Sequence, residues 1–330
     1  MTQVRAIAPA GAENRDASRI SDPLEPMRAL IPPPLRGTLA MVLLGANTLF
    51  WCLLLMLIAI AKLALPVDAV RRRIDPVLNT VATAWIECNG AILWPSRQTA
   101  WDVQGTQGLE PDEWYMVTSN HQSWVDILVL QRQFSGRIPL LKFFLKQQLI
   151  YVPVIGLAWW ALDFPFMKRH DKNALRKHPE LRLKDRESAQ RACEKFALVP
   201  TSVMTFPEGT RRTARKQTTQ ATPYRHLLKP KAGSLAMSLN AMGDRFKSLL
   251  DVTIVYPDGV PTFWDFLCGR CHRVIVRARQ IEITPELSAG DYTADSTFRR
   301  RFHHWLDTIW KEKDAQIEDL LRVPPPVLAP

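Results

Sequence analysis

The chain has 330 residues, with 43 Lys and Arg against 32 Asp and Glu, a net charge of +11, and 47% hydrophobic residues. That apolar content excludes a disordered protein. Five cysteines over such a length exclude a fold built on disulfides. The charge leaves three classes: a nucleic-acid binder, a protein that works on an anionic membrane, or an enzyme for anionic substrates.

In chain order, residues 1–35 read as a disordered, Pro-rich N-terminal tail. Residues 36–95 read as membrane-anchoring helices. Thr38 to Ala61 is 24 residues without a charge. As a helix it would measure about 36 Å, against a hydrocarbon core of about 30 Å. A buried helix of a soluble domain is the plain alternative. A cleaved signal peptide ending at Ala59-Ile60-Ala61 is disfavoured by the polar residues ahead of the run and by the run's length. Lys and Arg flank both sides, so charge does not orient the helix. Val77 to Trp94 reads as a second helix, interfacial or paired with the first, with Arg71 to Arg73 between the two among lipid phosphates.

Residues 96–321 alternate strand-like and helix-like segments, which predicts an α/β fold, a mixed sheet covered by helices. Predicted strands are Trp101–Gly105, Trp114–Thr118, Phe164–Met167, Thr201–Phe206, Asp251–Tyr256 and Arg273–Ile283. Predicted helices are Ser123–Phe134, Lys184–Phe196, Ala232–Met242 and Thr297–Leu321. A Pro-rich tail, 322–330, follows.

Three constellations carry possible chemistry. His121 and Asp126 stand in Asn-His-Gln-Ser-Trp-Val-Asp. In one continuous helix they would point about 140° apart. With His121 in the turn before a helix, Asp126 can reach back, fix the imidazole tautomer and leave the other nitrogen as a general base. A locally bonded turn histidine explains the pair equally well. Phe206-Pro207-Glu208-Gly209-Thr210-Arg211-Arg212 runs from a strand into a tight turn, where Arg211 can fork onto phosphate. An ordinary charged turn reads the same. Lys142 and Lys146 lead through an apolar, Trp-containing stretch to Lys168-Arg169. That suits a phosphate seat at a lipid surface, or two solvated cations at a strand end.

Taken together and in order, NHQSWVD, KQQLIYVPVIGLAWWALDFPFMKR, FPEGTR, the Lys231-Ala232-Gly233 step and VTIVYP resemble the blocks of the glycerolipid acyltransferase family, of lysophosphatidic-acid acyltransferase type. The likeness runs over about residues 40–321 and is strongest to the YihG-type branch of bacterial inner-membrane acyltransferases. It implies an acyl group moved from acyl-CoA or acyl carrier protein to a lysophospholipid such as 1-acylglycerol 3-phosphate, giving phosphatidic acid. It implies that His121 is the catalytic base and Asp126 its partner. It implies that Lys146, Lys168, Arg169, Glu208, Gly209, Thr210 and Arg211 bind the substrate, and that Pro257 lies on the acyl-donor side. It implies no cofactor, no metal and no nucleic acid; the partners are membrane lipids, and the place is the bacterial inner membrane with a cytoplasmic site. Lys168 departs from the family's usual acidic residue, and Arg212 from its usual serine. Another lysophospholipid acyltransferase or transacylase of this fold, and a non-enzymatic lipid-binding protein, are the alternatives.

Other motifs are weaker. Cys268-Gly-Arg-Cys271-His272 matches a c-type haem attachment pattern, but it precedes a strand-like segment in the α/β region and reads better as ordinary thiols. His303-His304 are about 100° apart on a helix. Arg182 to Arg186 and Arg299 to Arg301 lack the aromatic interleaving of an RNA motif.

Overall fold

A computed structural model describes residues 31–64, 68–93, 99–167, 196, 199–292 and 294–322. Most of the expected tail 1–35, nearly all of the expected helix Lys184–Phe196, the expected tail from 323 onward, and Lys168 and Arg169 lie outside the described residues.

Helix α1, Pro33–Ala64, starts within a proline run, where the missing N–H costs nothing. From Pro33 to Lys62 it is long and apolar enough to cross a membrane by length and composition. Cys52, Leu55, Ala59 and Lys62 form one buried stripe, while Leu49, Phe50, Leu53, Leu57 and Ile60 on other faces are exposed. Helix α2, Asp68–Ile92, pairs with it through Asn47 Nδ2, which donates to Asn89 Oδ1 at 3.0 Å, and through Leu78 and Ala82. The expected break at Arg71–Arg73 is not found; these residues lie inside α2. Arginine is a good helix former, and its charge alone does not end a helix.

The α/β part holds strands β1 Ala100–Gln104, β2 Trp114–Ser119, β3 Leu141–Phe143, β4 Leu145–Lys146, β5 Phe166–Met167, β6 Ser202–Thr205, β7 Phe246–Val255 and β8 Arg273–Ile281. Six form one mixed sheet in the order β1-β8-β7-β2-β6-β3, and β4 pairs separately with β5. Only β7 and β8 run antiparallel to each other in the large sheet. The helices are α3 Val125–Phe134, α4 Ile155–Ala161, α5 Ala214–Gln220, α6 Gly233–Met242, α7 Phe263–Leu267, α8 Pro285–Ser288 and α9 Ser296–Arg322.

Strand residues alternate between the two faces. Met116, Val203 and Leu249 pack with Leu235 and Leu239 of α6 and with Phe302, Trp305 and Trp310 of α9. Their neighbours Val117, Met204 and Leu250 pack with Val125, Val129 and Phe134 of α3. Both faces are therefore covered, and every residue of β6 and all but the first of β2 are buried.

Strand β7 begins five residues before its predicted start. Asp251, in its middle, is buried and receives Lys313 Nζ of α9 at 2.9 Å and Arg279 Nε of β8 at 3.1 Å. Burial opposes ionisation of Asp251, but the two cations outweigh it and hold the carboxyl below its usual range. A charge that looks like a strand boundary is thus compensated across the fold.

Candidate active site

The site forms where parallel strands β2 and β7 end side by side. Asn120, just past β2, clamps β7: its Nδ2 donates to Ile254 O at 2.8 Å, and Ile254 N donates to its Oδ1 at 2.9 Å. Residues 121–124 then turn into α3, so His121 precedes the helix and Asp126 is its second residue. Asp126 Oδ2 faces His121 Nδ1 at 2.8 Å and accepts the Gln122 and Ser123 amides at 2.6 and 2.9 Å. The carboxylate therefore serves the first turn and the imidazole together. An Nδ1–H donated to Asp126 leaves Nε2 as the proton acceptor. The His121 side chain is 12% exposed and that of Asp126 is 1% exposed, so only the imidazole is within reach of a ligand.

The 206–212 turn holds the other side of His121. The Phe206 ring stacks on the imidazole at 4.0 Å between centroids, 14° from parallel, with Phe143 behind it. Glu208 Oε1 accepts the His121 amide at 2.8 Å, and Glu208 Oε2 accepts the Leu228 amide at 2.9 Å. The Arg212 amide donates to His121 O at 2.7 Å. Both main-chain groups of His121 are thus fixed from one turn. Burial pushes the Glu208 carboxyl up to about 7, against the pull of its two amide donors.

Gly209 has φ +68°, and a Cβ there would come within 3.1 Å of Lys231 Nζ, so glycine suits this turn on two counts. Thr210 Oγ1 accepts Lys216 Nζ at 2.6 Å, and Arg211 O accepts the same ammonium at 3.0 Å. The Arg211 guanidinium lies over the exposed Trp124 ring, 4.9 Å from its centroid. Arg212 turns away, its Nη2 donating to Gln217 Oε1 at 2.8 Å and to Arg225 O at 3.2 Å.

The structure therefore brings His121, Asp126, Glu208, Gly209, Thr210 and Arg211 to one end of the sheet. Lys146 is exposed on β4, opposite Met167 of β5 in the parallel register. Lys168 and Arg169 follow Met167 outside the described residues. Glu208 differs from its neighbours: both its oxygens are taken by main-chain amides, and it braces His121.

Sequence reasoning does not single out Asn120, Phe206 or Tyr256, though each stands inside a quoted motif. Tyr256 Oη donates to Asp126 Oδ1 at 2.6 Å. An amide and a phenol at the ends of two apolar runs were the available signals. The Cys268–Cys271 pair is buried and free. Burial pushes the Cys271 thiol up to about 12, where it is unreactive at neutral pH.

Residues 100–257 match the family model described as Acyltransferase. Over 257 residues the chain is 26% identical to 1-acyl-sn-glycerol-3-phosphate acyltransferase alpha from Homo sapiens, covering 77% of each. It is also 26% identical to the protein of the same name from Bos taurus, over 77% of this chain and 76% of that one. The crystal structure of the 1-acyl-sn-glycerophosphate (LPA) acyltransferase PlsC from Thermotoga maritima aligns at TM-score 0.49 and 17% identity, over 88% of this chain and 97% of that chain.

Proposed function

Because residues 100–257 match the acyltransferase family model and the chain is similar to 1-acyl-sn-glycerol-3-phosphate acyltransferases, we propose that the chain moves a fatty acyl group from acyl-CoA or acyl carrier protein to the free hydroxyl of 1-acylglycerol 3-phosphate. The product is phosphatidic acid. The observation that carries this reading is the His121 Nδ1 to Asp126 Oδ2 pair at 2.8 Å, beside a turn that presents Arg211.

An alcohol ionises far too weakly at pH 7 to attack a thioester unaided. Nε2 of His121 takes the hydroxyl proton as the oxygen bonds to the acyl carbon, and Asp126 stabilises the imidazolium. The C–S bond then breaks and the thiolate leaves, taking back that proton to become the free thiol. A thiol pKa near 8.5 makes it a good leaving group. No acyl-enzyme is needed. Arg211 and Lys216 are cations at the rim of the turn and suit the acceptor phosphate, with Lys146 as a further basic contact. Glu208 supports the reaction by holding the His121 main chain.

The membrane part of the proposal rests on α1. Its two ends touch the same α/β domain. A Cβ on Gly37 would come within 2.6 Å of Cys268 Sγ, and Lys62 pairs with Asp163 beyond α4. Those two positions are about 38 Å apart along the helix. Contact with one domain at both ends favours α1 lying in a single leaflet over crossing. In a bacterium that is the cytoplasmic leaflet of the inner membrane, on the side where both acyl donors occur.

The test is purified protein in detergent with labelled oleoyl-CoA, then acyl carrier protein, and a panel of lysophospholipids. Phosphatidic acid formed faster than any other product supports the proposal. No transfer to any acceptor from either donor, by protein shown to be folded, overturns it in favour of a lipid-binding protein without activity.

A further inference from the structure

Asp126 accepts four hydrogen bonds. Three, from His121 Nδ1 and the amides of Gln122 and Ser123, end on Oδ2 and come from its own loop. The fourth, from Tyr256 Oη to Oδ1, comes from the end of β7. We propose that Tyr256 is a positioning residue for acyl transfer: its hydroxyl keeps Oδ2 turned to His121 and, by sharing the carboxylate's charge, sets how tightly His121 holds its proton.

The geometry supports this in three ways. Asn120 and Ile254 are locked by two hydrogen bonds. His121 follows one by a single residue and Tyr256 follows the other by two, so the phenol is placed relative to the imidazole by sheet register rather than by a mobile loop. The Tyr256 ring is buried in the core cluster that also holds Val125, Val129 and Phe266, which limits its orientation. Burial and then the Asp126 charge push the phenol well above its usual range. It therefore remains an O–H donor at every working pH. Removing the hydroxyl leaves Oδ1 buried without a partner, and the carboxylate then pulls harder on the imidazolium proton.

Other charged or titratable groups face this pair. Glu208, in the turn after β6, acts on Asp126, and Cys271, before β8, acts on Tyr256; Arg212 and Lys313 of α9 act in turn on Glu208. Glu208 itself titrates near neutrality, so an activity profile alone does not isolate His121.

The inference rests on the transfer reaction only for its kinetic arm. Tyr256→Phe keeps the ring and removes the hydroxyl. The expected results are a kcat about tenfold lower with both KM values nearly unchanged, and an acid limb displaced upward by about half a pH unit. An NMR titration of isotope-labelled histidine in micelles, assigned with His121→Gln, should show the His121 imidazole itself displaced upward. Fluorotyrosine at position 256, a stronger donor of the same shape, should move it downward. An unchanged His121 titration in both variants overturns the proposal, even if kcat or Tm falls, because packing alone would then explain the loss. Because the titration needs no turnover, a displaced His121 in a protein without transfer activity would overturn the reaction and leave the positioning role standing.

Discussion

At the residue scale, Arg211 and Glu208 share one turn and separate cleanly. Arg211 lies on the rim over Trp124, with its guanidinium free to meet an anion. Arg211→Ala is expected to raise the KM for lysophosphatidic acid about tenfold and to leave that for acyl-CoA unchanged, as measured by steady-state kinetics. An effect on the acyl donor alone would contradict the role. Glu208 is interior, and its carboxyl titrates near 7 instead of 4.5. A raised folded pKa means that the folded chain binds the proton more tightly than the unfolded chain. Its contribution to stability is therefore complete below about pH 4.5 and is lost as the pH rises through 7, by at most about 3 kcal/mol. Thermal unfolding of the wild type should fall more steeply from pH 5 to 8 than that of Glu208→Gln. Parallel profiles would remove Glu208 as the cause. His121, Asp126 and the 208–211 turn were legible because each is a short cluster of unlike functional groups. The bracing role of Glu208 was not, because its partners are main-chain amides at residues 121 and 228, and amides leave no mark in a sequence.

At the scale of elements, the joints hold the information that periodicity lacks. The Lys62 ammonium is buried between Asp75 of α2, at 2.7 Å, and Asp163 of the segment after α4, and it also donates to Ala161 O. Lys62→Ala removes the cation that sits between these two mostly buried carboxylates. Breaking a buried pair in this way costs about 3–5 kcal/mol. The loss should appear as a lower Tm and faster proteolysis between α1 and the α/β domain; an unchanged Tm would show that the cluster is dispensable. The sequence gives no hint of this triad, since its members are 13 and 101 residues from Lys62. The same holds for β7: Lys247, Ser248 and Asp251 break its apolar pattern, and the cations that balance Asp251, Arg279 of β8 and Lys313 of α9, come some thirty and sixty residues later. β3 was missed because it is three residues long, too short for an alternation to register. By contrast α9 was legible to within a residue at each end, because a 27-residue amphipathic helix repeats its signal many times.

At the scale of the molecule, the proposed reaction needs an acyl thioester and a lipid acceptor to meet at one surface, between the apolar hairpin and the α/β domain. If α1 lies in one leaflet, single cysteines at Leu35 and Ala69, placed in a chain whose own five cysteines are replaced, should both react with an impermeant reagent from the same side of sealed vesicles. Labelling from opposite sides would establish a crossing helix. The central claim is that His121, oriented by Asp126, removes the acceptor's proton. Its most direct test is transfer of labelled oleoyl groups to lysophosphatidic acid by wild type and by His121→Ala, with folding checked by circular dichroism. The expected result is a native spectrum with a rate about 100- to 10,000-fold lower. A variant that folds and turns over at nearly the wild-type rate would contradict the account.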